Sequence, residues 1–148
     1  MNLKIHKNIL TKKEQKNLLN FVKKKVQYLG EDYPGLQTKG DLHTYKELCP
    51  FLKKINKYVQ PNKIFMCWGN YTDGSFISWH NHEGLKYSMV YYLKSPQKLG
   101  VMFTTGKYGV IYTKGLENSL AIFDGSKVHS MPNSYKKMNR YTIAVDII

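Results

Sequence analysis

Apolar side chains recur at helical spacing through much of residues 1–62 and in short β-rich runs from Lys63 onward. Lys4–Leu10 alternates weakly and predicts a short strand. Thr11 and Glu14 then make the pattern Thr-x-x-Glu, in which hydroxyl and carboxylate satisfy free backbone donors at a helix start. Leu18, Leu19, Phe21, Val22 and Val26 continue that helix as an apolar stripe towards Gly30. Pro34, Gly35 and Gly40 mark Glu31–Asp41 as a loop. Leu48, Phe51, Leu52, Ile55 and Tyr58 share one face of a second helix predicted over Tyr45–Tyr58, which Pro61 ends.

The runs that follow are Ile64–Tyr71, Phe76–His80, Tyr87–Leu93, Val101–Thr105, Val110–Tyr112, Ser119–Phe123, Val128–Met131 and Arg140–Ile147. Turn-forming residues separate them, among them Asp73-Gly74, Ser95-Pro96, Gly100, Asp124-Gly125 and Pro132-Asn133. Short strands at this spacing predict a mainly β fold, an antiparallel sandwich or barrel with the two helices on one outer face. Phe76, Phe103 and Phe123 are expected in its core, as is at least one of Tyr91 and Tyr92.

Composition narrows the class only a little. A chain of 148 residues suits one domain, with 1–62 as a helical support and 63–148 as the β core. No apolar run is long enough for a signal peptide or a bilayer span, which predicts a cytoplasmic protein with no membrane partner. Cys49 and Cys67 fit no zinc or redox pattern and are expected as buried free thiols. The net charge of +13 admits nucleic acid as a partner. Lys, Asn, Ile and Tyr together supply 55 of the 148 residues, however, the set that A/T-rich codons favour. The charge is therefore weak testimony to a phosphate-binding face.

The candidate chemistry lies in the second half. The 23 basic residues comprise 22 lysines and Arg140, so a generic cation is lysine here and the lone guanidinium points to a task lysine performs poorly. A planar two-pronged grip on a carboxylate is such a task. His80 and His82, two apart, project from one face if they share a strand, and can offer two imidazoles to one metal. A rolled sheet can return His129 beside them although 47 positions separate it from His82. Three ligands on one side of iron(II) leave the other side open for cosubstrate and oxygen. Metal-ligating histidines with a carboxylate clamp point to an iron site that also holds a small diacid.

Three ordered blocks carry a resemblance. The first is Asn70-Tyr71-Thr72-Asp73-Gly74 followed, after five residues, by His80-Asn81-His82. The second is Ser88-Met89-Val90-Tyr91-Tyr92-Leu93, and the third Gly115, Leu120-Ala121-Ile122-Phe123, His129 and, eleven positions on, Arg140-Tyr141-Thr142-Ile143. They resemble the prolyl-hydroxylase-like 2-oxoglutarate/Fe(II) oxygenases, in particular the short phage and marine-bacterial forms. The resemblance implies a double-stranded β-helix (a jelly roll, cupin-like) flanked by two helices. It implies a dioxygenase, a hydroxylase of an unstated substrate, that couples oxidative decarboxylation of 2-oxoglutarate to succinate with substrate oxidation. The cofactors implied are Fe(II) and 2-oxoglutarate, with O2 as co-reactant and a protein side chain, nucleic acid or small molecule as substrate. If the gene is a phage's, the compartment is the host cytoplasm.

Carried over position by position, His80 and His129 are iron ligands and Arg140 holds the far carboxylate of 2-oxoglutarate, with Tyr92 donating its hydroxyl to the same group. Asn70 or Tyr71 steadies the chelating end, and Ser88 faces the pocket. The family motif is His-x-Asp, whereas this chain has His82 in the third position. His82 is read as a true third ligand, with Glu83 as the fallback carboxylate. Such a site keeps one more positive charge than a two-histidine, one-carboxylate site. Two alternatives stay open: a three-histidine cupin-type metal enzyme that does not use 2-oxoglutarate, and a non-catalytic basic β-sandwich that binds nucleic acid or other proteins.

Overall fold

The architecture comes from a computed structural model that describes residues 2–31, 33–60, 63–134 and 137–148. Its strands are β1 (Lys4–Lys7), β2 (Leu36–Gln37), β3 (Ile64–Thr72), β4 (Ile77–His80), β5 (Tyr87–Lys94), β6 (Leu99–Thr104), β7 (Val110–Lys114), β8 (Ser119–Asp124), β9 (His129–Met131) and β10 (Arg140–Ile147). They form two antiparallel sheets, of six strands in the order β1-β8-β5-β10-β3-β2 and of four in the order β4-β9-β6-β7. Two sheets wound in this way make the expected double-stranded β-helix.

Alternation divides the larger sheet into two faces. On β10, Ile143, Val145 and Ile147 join Tyr91 and Leu93 of β5 and Leu120 and Ile122 of β8 in the core that the helices cover. The opposite face of β10 carries Arg140, Thr142, Ala144 and Asp146 and lines a cleft shared with the smaller sheet. A second apolar cluster, Val101, Phe103, Phe123 and Met131, closes the bottom of the sandwich.

Helix α1 (Lys12–Lys25) begins as the sequence predicts: the Thr11 hydroxyl accepts from the Glu14 N–H and the Glu14 carboxylate accepts from the Thr11 N–H. Glu14 in the first turn and Lys23, Lys24 and Lys25 in the last complement the helix dipole. Leu18 and Val22 are buried against the sheet, each contributing about 1.5–3 kcal/mol. The helix stops at Lys25 rather than nearer Gly30, because Val26 turns to an extended conformation.

The second predicted helix is shorter than its apolar face suggests. Only Cys49–Ile55 is α-helical (α2), after two 3-10 turns at Leu42–Thr44 and Lys46–Leu48. Pro50 lies in its first turn and has no N–H to donate to a preceding turn, so an α-helix cannot run through from Tyr45. Pro61, the expected stop, lies outside the described residues.

Each of the eight expected strands from Ile64 onward is present within a few residues of its predicted bounds. Strand β6 takes in Gly100, a position read as a turn. A Cβ there would meet the Thr113 Oγ1 at 2.4 Å, so glycine permits the close approach of β7. Strands β1 and β2 enter the larger sheet, so residues 1–62 contribute strands as well as helical support. Two further expectations are corrected. Phe76, expected in the core, is 44% exposed just ahead of β4. Cys49 is exposed at the start of α2, and only Cys67 is a buried free thiol. Among the described residues no helix is long and apolar enough to cross a membrane.

Gly69 lets α1 pack closely on the sheet, since a Cβ there would meet Val22 Cγ1 at 2.8 Å and Thr38 Cγ2 at 3.2 Å. Val22 is fully buried and has nowhere to go. Gly69→Ala should therefore destabilise the fold by about 1–3 kcal/mol through overpacking, read as a lower denaturant midpoint at an unchanged slope.

Candidate active site

Strand pairing creates the histidine cluster. In the β4:β9 ladder His80 stands directly opposite His129. His82 lies two residues beyond, past the end of β4, where its N–H donates to the Gly125 carbonyl at 2.8 Å. That contact uses the Asp124-Gly125 turn; a side chain on Gly125 would strike the Leu85 carbonyl oxygen at 2.5 Å. The three rings gather with centroids 4.3–5.3 Å apart, and one ring nitrogen from each lies within 4.8 Å of the others. Trp68 stacks on His82 and Phe123 meets His129 edge-on, which limits ring rotation.

Each imidazole is tethered through Nδ1. His80 Nδ1 faces the Ser78 carbonyl and His129 Nδ1 the Lys127 carbonyl, both at 2.8 Å, while His82 Nδ1 faces the Asp146 Oδ2 at 2.7 Å. Carbonyl oxygens only accept, so the ring proton of His80 and of His129 sits on Nδ1 and the Nε2 lone pair is free. Burial pushes the His129 imidazole down to about 4, with the Lys127 carbonyl opposing it. It is therefore neutral, the form that ligates metal. Three ring nitrogens within reach of one point, on one side of an open cleft, fit a transition metal such as iron(II) with positions left for other ligands.

Arg140 begins β10 on the cleft face and is 2% exposed. Its guanidinium carbon sits 5.4 Å from the centroid of the Tyr92 ring and Nη2 donates to the Met131 thioether at 3.2 Å. Its Nε has no hydrogen-bond partner, and among the described residues no carboxylate pairs with it. Burial pulls its pKa below the ordinary arginine value, yet a guanidinium stays charged. A buried cation that meets, among the described residues, a thioether and an aromatic face but no carboxylate fits an anionic ligand. The cleft between it and the histidines has a cavity volume of about 120 Å3 and opens to solvent.

No family model matches the sequence, and no curated protein matches it. Solved structures do match in fold. A viral collagen prolyl hydroxylase from Paramecium bursaria Chlorella virus-1, solved with 2-oxoglutarate, is 14% identical at a TM-score of 0.71, over 99% of this chain and 96% of that one. A Pseudomonas putida prolyl-4-hydroxylase is 12% identical at a TM-score of 0.69, over 98% and 91%. A Trichoplax adhaerens prolyl hydroxylase, solved with a peptide of hypoxia-inducible factor, is 14% identical at 0.70, over 98% and 83%. The fold is that of the 2-oxoglutarate- and iron-dependent oxygenases.

Within that oxygenase fold, His80, His82, His129, Asn70, Ser88 and Arg140 all line one cleft. Tyr71 and Tyr92 do not line it. Tyr71 points to the other face of β3, where it packs on Tyr141 with centroids 5.0 Å apart, so of the pair Asn70 or Tyr71 it is Asn70 that faces the cleft. The Tyr92 hydroxyl accepts from the Val101 N–H at 3.0 Å, and its contact with Arg140 is made by the ring. Glu83 is exposed in the turn beyond His82 and is not part of the cluster.

Three cleft residues had no signal in the sequence. Gln37 on β2 donates to the Asn70 Oδ1 at 2.8 Å, and Tyr33 lines the cleft within the field of Arg140. Burial pushes the Tyr33 phenol up to about 12, so it is a hydroxyl donor at neutral pH. Asp146, on the cleft face of the last strand, is the third.

An unpaired buried cation destabilises the protein that contains it. Arg140→Met should therefore stabilise the ligand-free protein by about 1–3 kcal/mol, seen as a higher thermal midpoint. A midpoint that falls instead would mean that the guanidinium is satisfied without a ligand.

Proposed function

We propose that the chain is an Fe(II)- and 2-oxoglutarate-dependent oxygenase, a hydroxylase of a substrate whose class is open. The observation that carries this reading is the pairing of a buried guanidinium at Arg140, which meets no carboxylate among the described residues, with three tethered imidazoles in one cleft. Such a cleft has an anion-binding end and a metal-binding end, as a cosubstrate with two carboxylates requires.

In this reading His80, His82 and His129 hold the iron through Nε2, and Arg140 anchors the far carboxylate of 2-oxoglutarate. Tyr33 adds a hydroxyl donor at the same end, the role the family pattern gives to Tyr92. Asn70, oriented by Gln37 and in reach of the Thr142 hydroxyl at 3.3 Å, steadies the chelating end. Iron bound there supplies oxygen activation coupled to oxidative decarboxylation of 2-oxoglutarate to succinate. Val101, Phe123 and Met131 form the apolar floor that keeps bulk water from this chemistry. The free thiols at Cys49 and Cys67 suit a reducing cytoplasm.

Adding Fe(II) and then 2-oxoglutarate to the purified protein without oxygen tests this without knowledge of the substrate. The expected result is a visible metal-to-ligand charge-transfer band that saturates near one equivalent of iron. Arg140→Lys should weaken cosubstrate binding by tenfold or more, because a point charge replaces a two-pronged donor. His80→Ala should abolish the band. Iron uptake with no band would reject 2-oxoglutarate and favour a three-histidine cupin-type enzyme. No iron uptake, with salt-dependent polyanion binding, would favour the basic binding module.

A further inference from the structure

Three imidazoles bring no negative charge to a metal dication, yet a carboxylate lies one hydrogen bond away. Asp146 is 4% exposed on the cleft face of β10 and has no lysine or arginine partner among the described residues. Both its oxygens are engaged: Oδ2 meets the His82 Nδ1 at 2.7 Å and Oδ1 accepts from the Ser88 hydroxyl at 2.8 Å. We propose that Asp146 is the positioning residue of the metal centre, supplying through His82 the anionic charge that the three-histidine donor set lacks. This rests on the reading of the cluster as a metal site.

The argument begins with cost. A buried carboxylate is unfavourable unless positive charge lies near it. A dication at the Nε2 side of His82 provides that charge, and the imidazole ring passes the attraction between the two. The tether is also selective. His80 and His129 rest on backbone carbonyls, which are neutral, so His82 alone is paired with a carboxylate. It is also the residue that replaces the aspartate of the family motif. The carboxylate removed from the first ring of ligands reappears behind the histidine that replaced it.

Ser88 defines the geometry further. Its hydroxyl holds the Oδ1, so Asp146 cannot turn towards the metal as a ligand without breaking that bond. The register sets both contacts: Ser88 on β5 lies directly beside Asp146 on β10, and both side chains face the cleft. Ser88 thus acts on Asp146 rather than on cosubstrate.

Co(II) titration followed by its visible bands, and redox titration of the iron-loaded protein, test the proposal with Asp146→Asn and Ser88→Ala. Asp146→Asn should weaken Co(II) binding by about 10–100-fold and raise the Fe(III)/Fe(II) midpoint potential, because charge is lost while shape is kept. Asp146→Glu should recover part of both. Ser88→Ala removes a neutral donor and concentrates charge on the oxygen facing His82, so its potential should fall below that of the wild type. The opposite signs of the two shifts are not produced by general destabilisation. Wild-type affinity and potential in Asp146→Asn overturn the proposal; if that variant does not fold, an unchanged potential in Ser88→Ala does so. A wild-type protein that takes up neither Co(II) nor Fe(II) removes the metal centre itself, and both readings with it.

Discussion

Strand β10 is hydrogen-bonded along both edges, to β3 on one side and β5 on the other, and its alternation underlies the rest of the molecule. Ile143, Val145 and Ile147 face the helix-covered core, while Arg140, Thr142, Ala144 and Asp146 face the cleft. A slip of one residue would bury both charges under α1 and turn the aliphatic row into the cleft, so the core locks the register. The same lock fixes the poles of the site. Arg140 and Asp146 are six residues apart on one face, about 20 Å along an extended strand, a cation at one end and a carboxylate at the other. Both are buried: among the described residues Arg140 meets no carboxylate, while Asp146 is held by His82 and Ser88.

The smaller sheet brings the third part. Strands β4 and β9 are short, four and three residues, yet their pairing is enough to set His80 against His129. His82 is then drawn in by the turn after β8 and by Asp146 of the opposite sheet. The histidine cluster thus joins the two sheets: two of its imidazoles are placed by the smaller one and the third is tied to the larger. A metal bound there would cross-link the sandwich as well as serve chemistry.

Much of this was legible in the chain because it is written locally. The alternating runs from Ile64 onward, punctuated by glycine, proline and aspartate, identify the strands without reference to one another, and Thr11 with Glu14 identifies the start of α1. The lone arginine and the spacing of the three histidines point to the candidate chemistry. Where local reading failed, a single residue or a long-range contact overrode it. Pro50 breaks a helix whose apolar face runs on unbroken. Strand β2 has two residues and is held by long-range pairing, with β3 on one side and Gln27 on the other. Tyr92 carries the family position and its hydroxyl accepts from the Val101 backbone, while Tyr33, from a loop with no motif, lines the cleft.

By itself the sequence determined the elements, the mainly β class and the identity of the candidate metal and carboxylate ligands, because periodicity, capping and residue chemistry are properties of neighbouring positions. The tertiary structure alone decided which of two adjacent residues faces the cleft, Asn70 rather than Tyr71, and which carboxylate stands behind the histidines, Asp146 rather than Glu83. Those choices depend on strand register and on pairings between residues as far apart as His82 and Asp146, 64 positions along the chain. Contacts at that separation are set by how two sheets close on a shared core, and no local pattern records them.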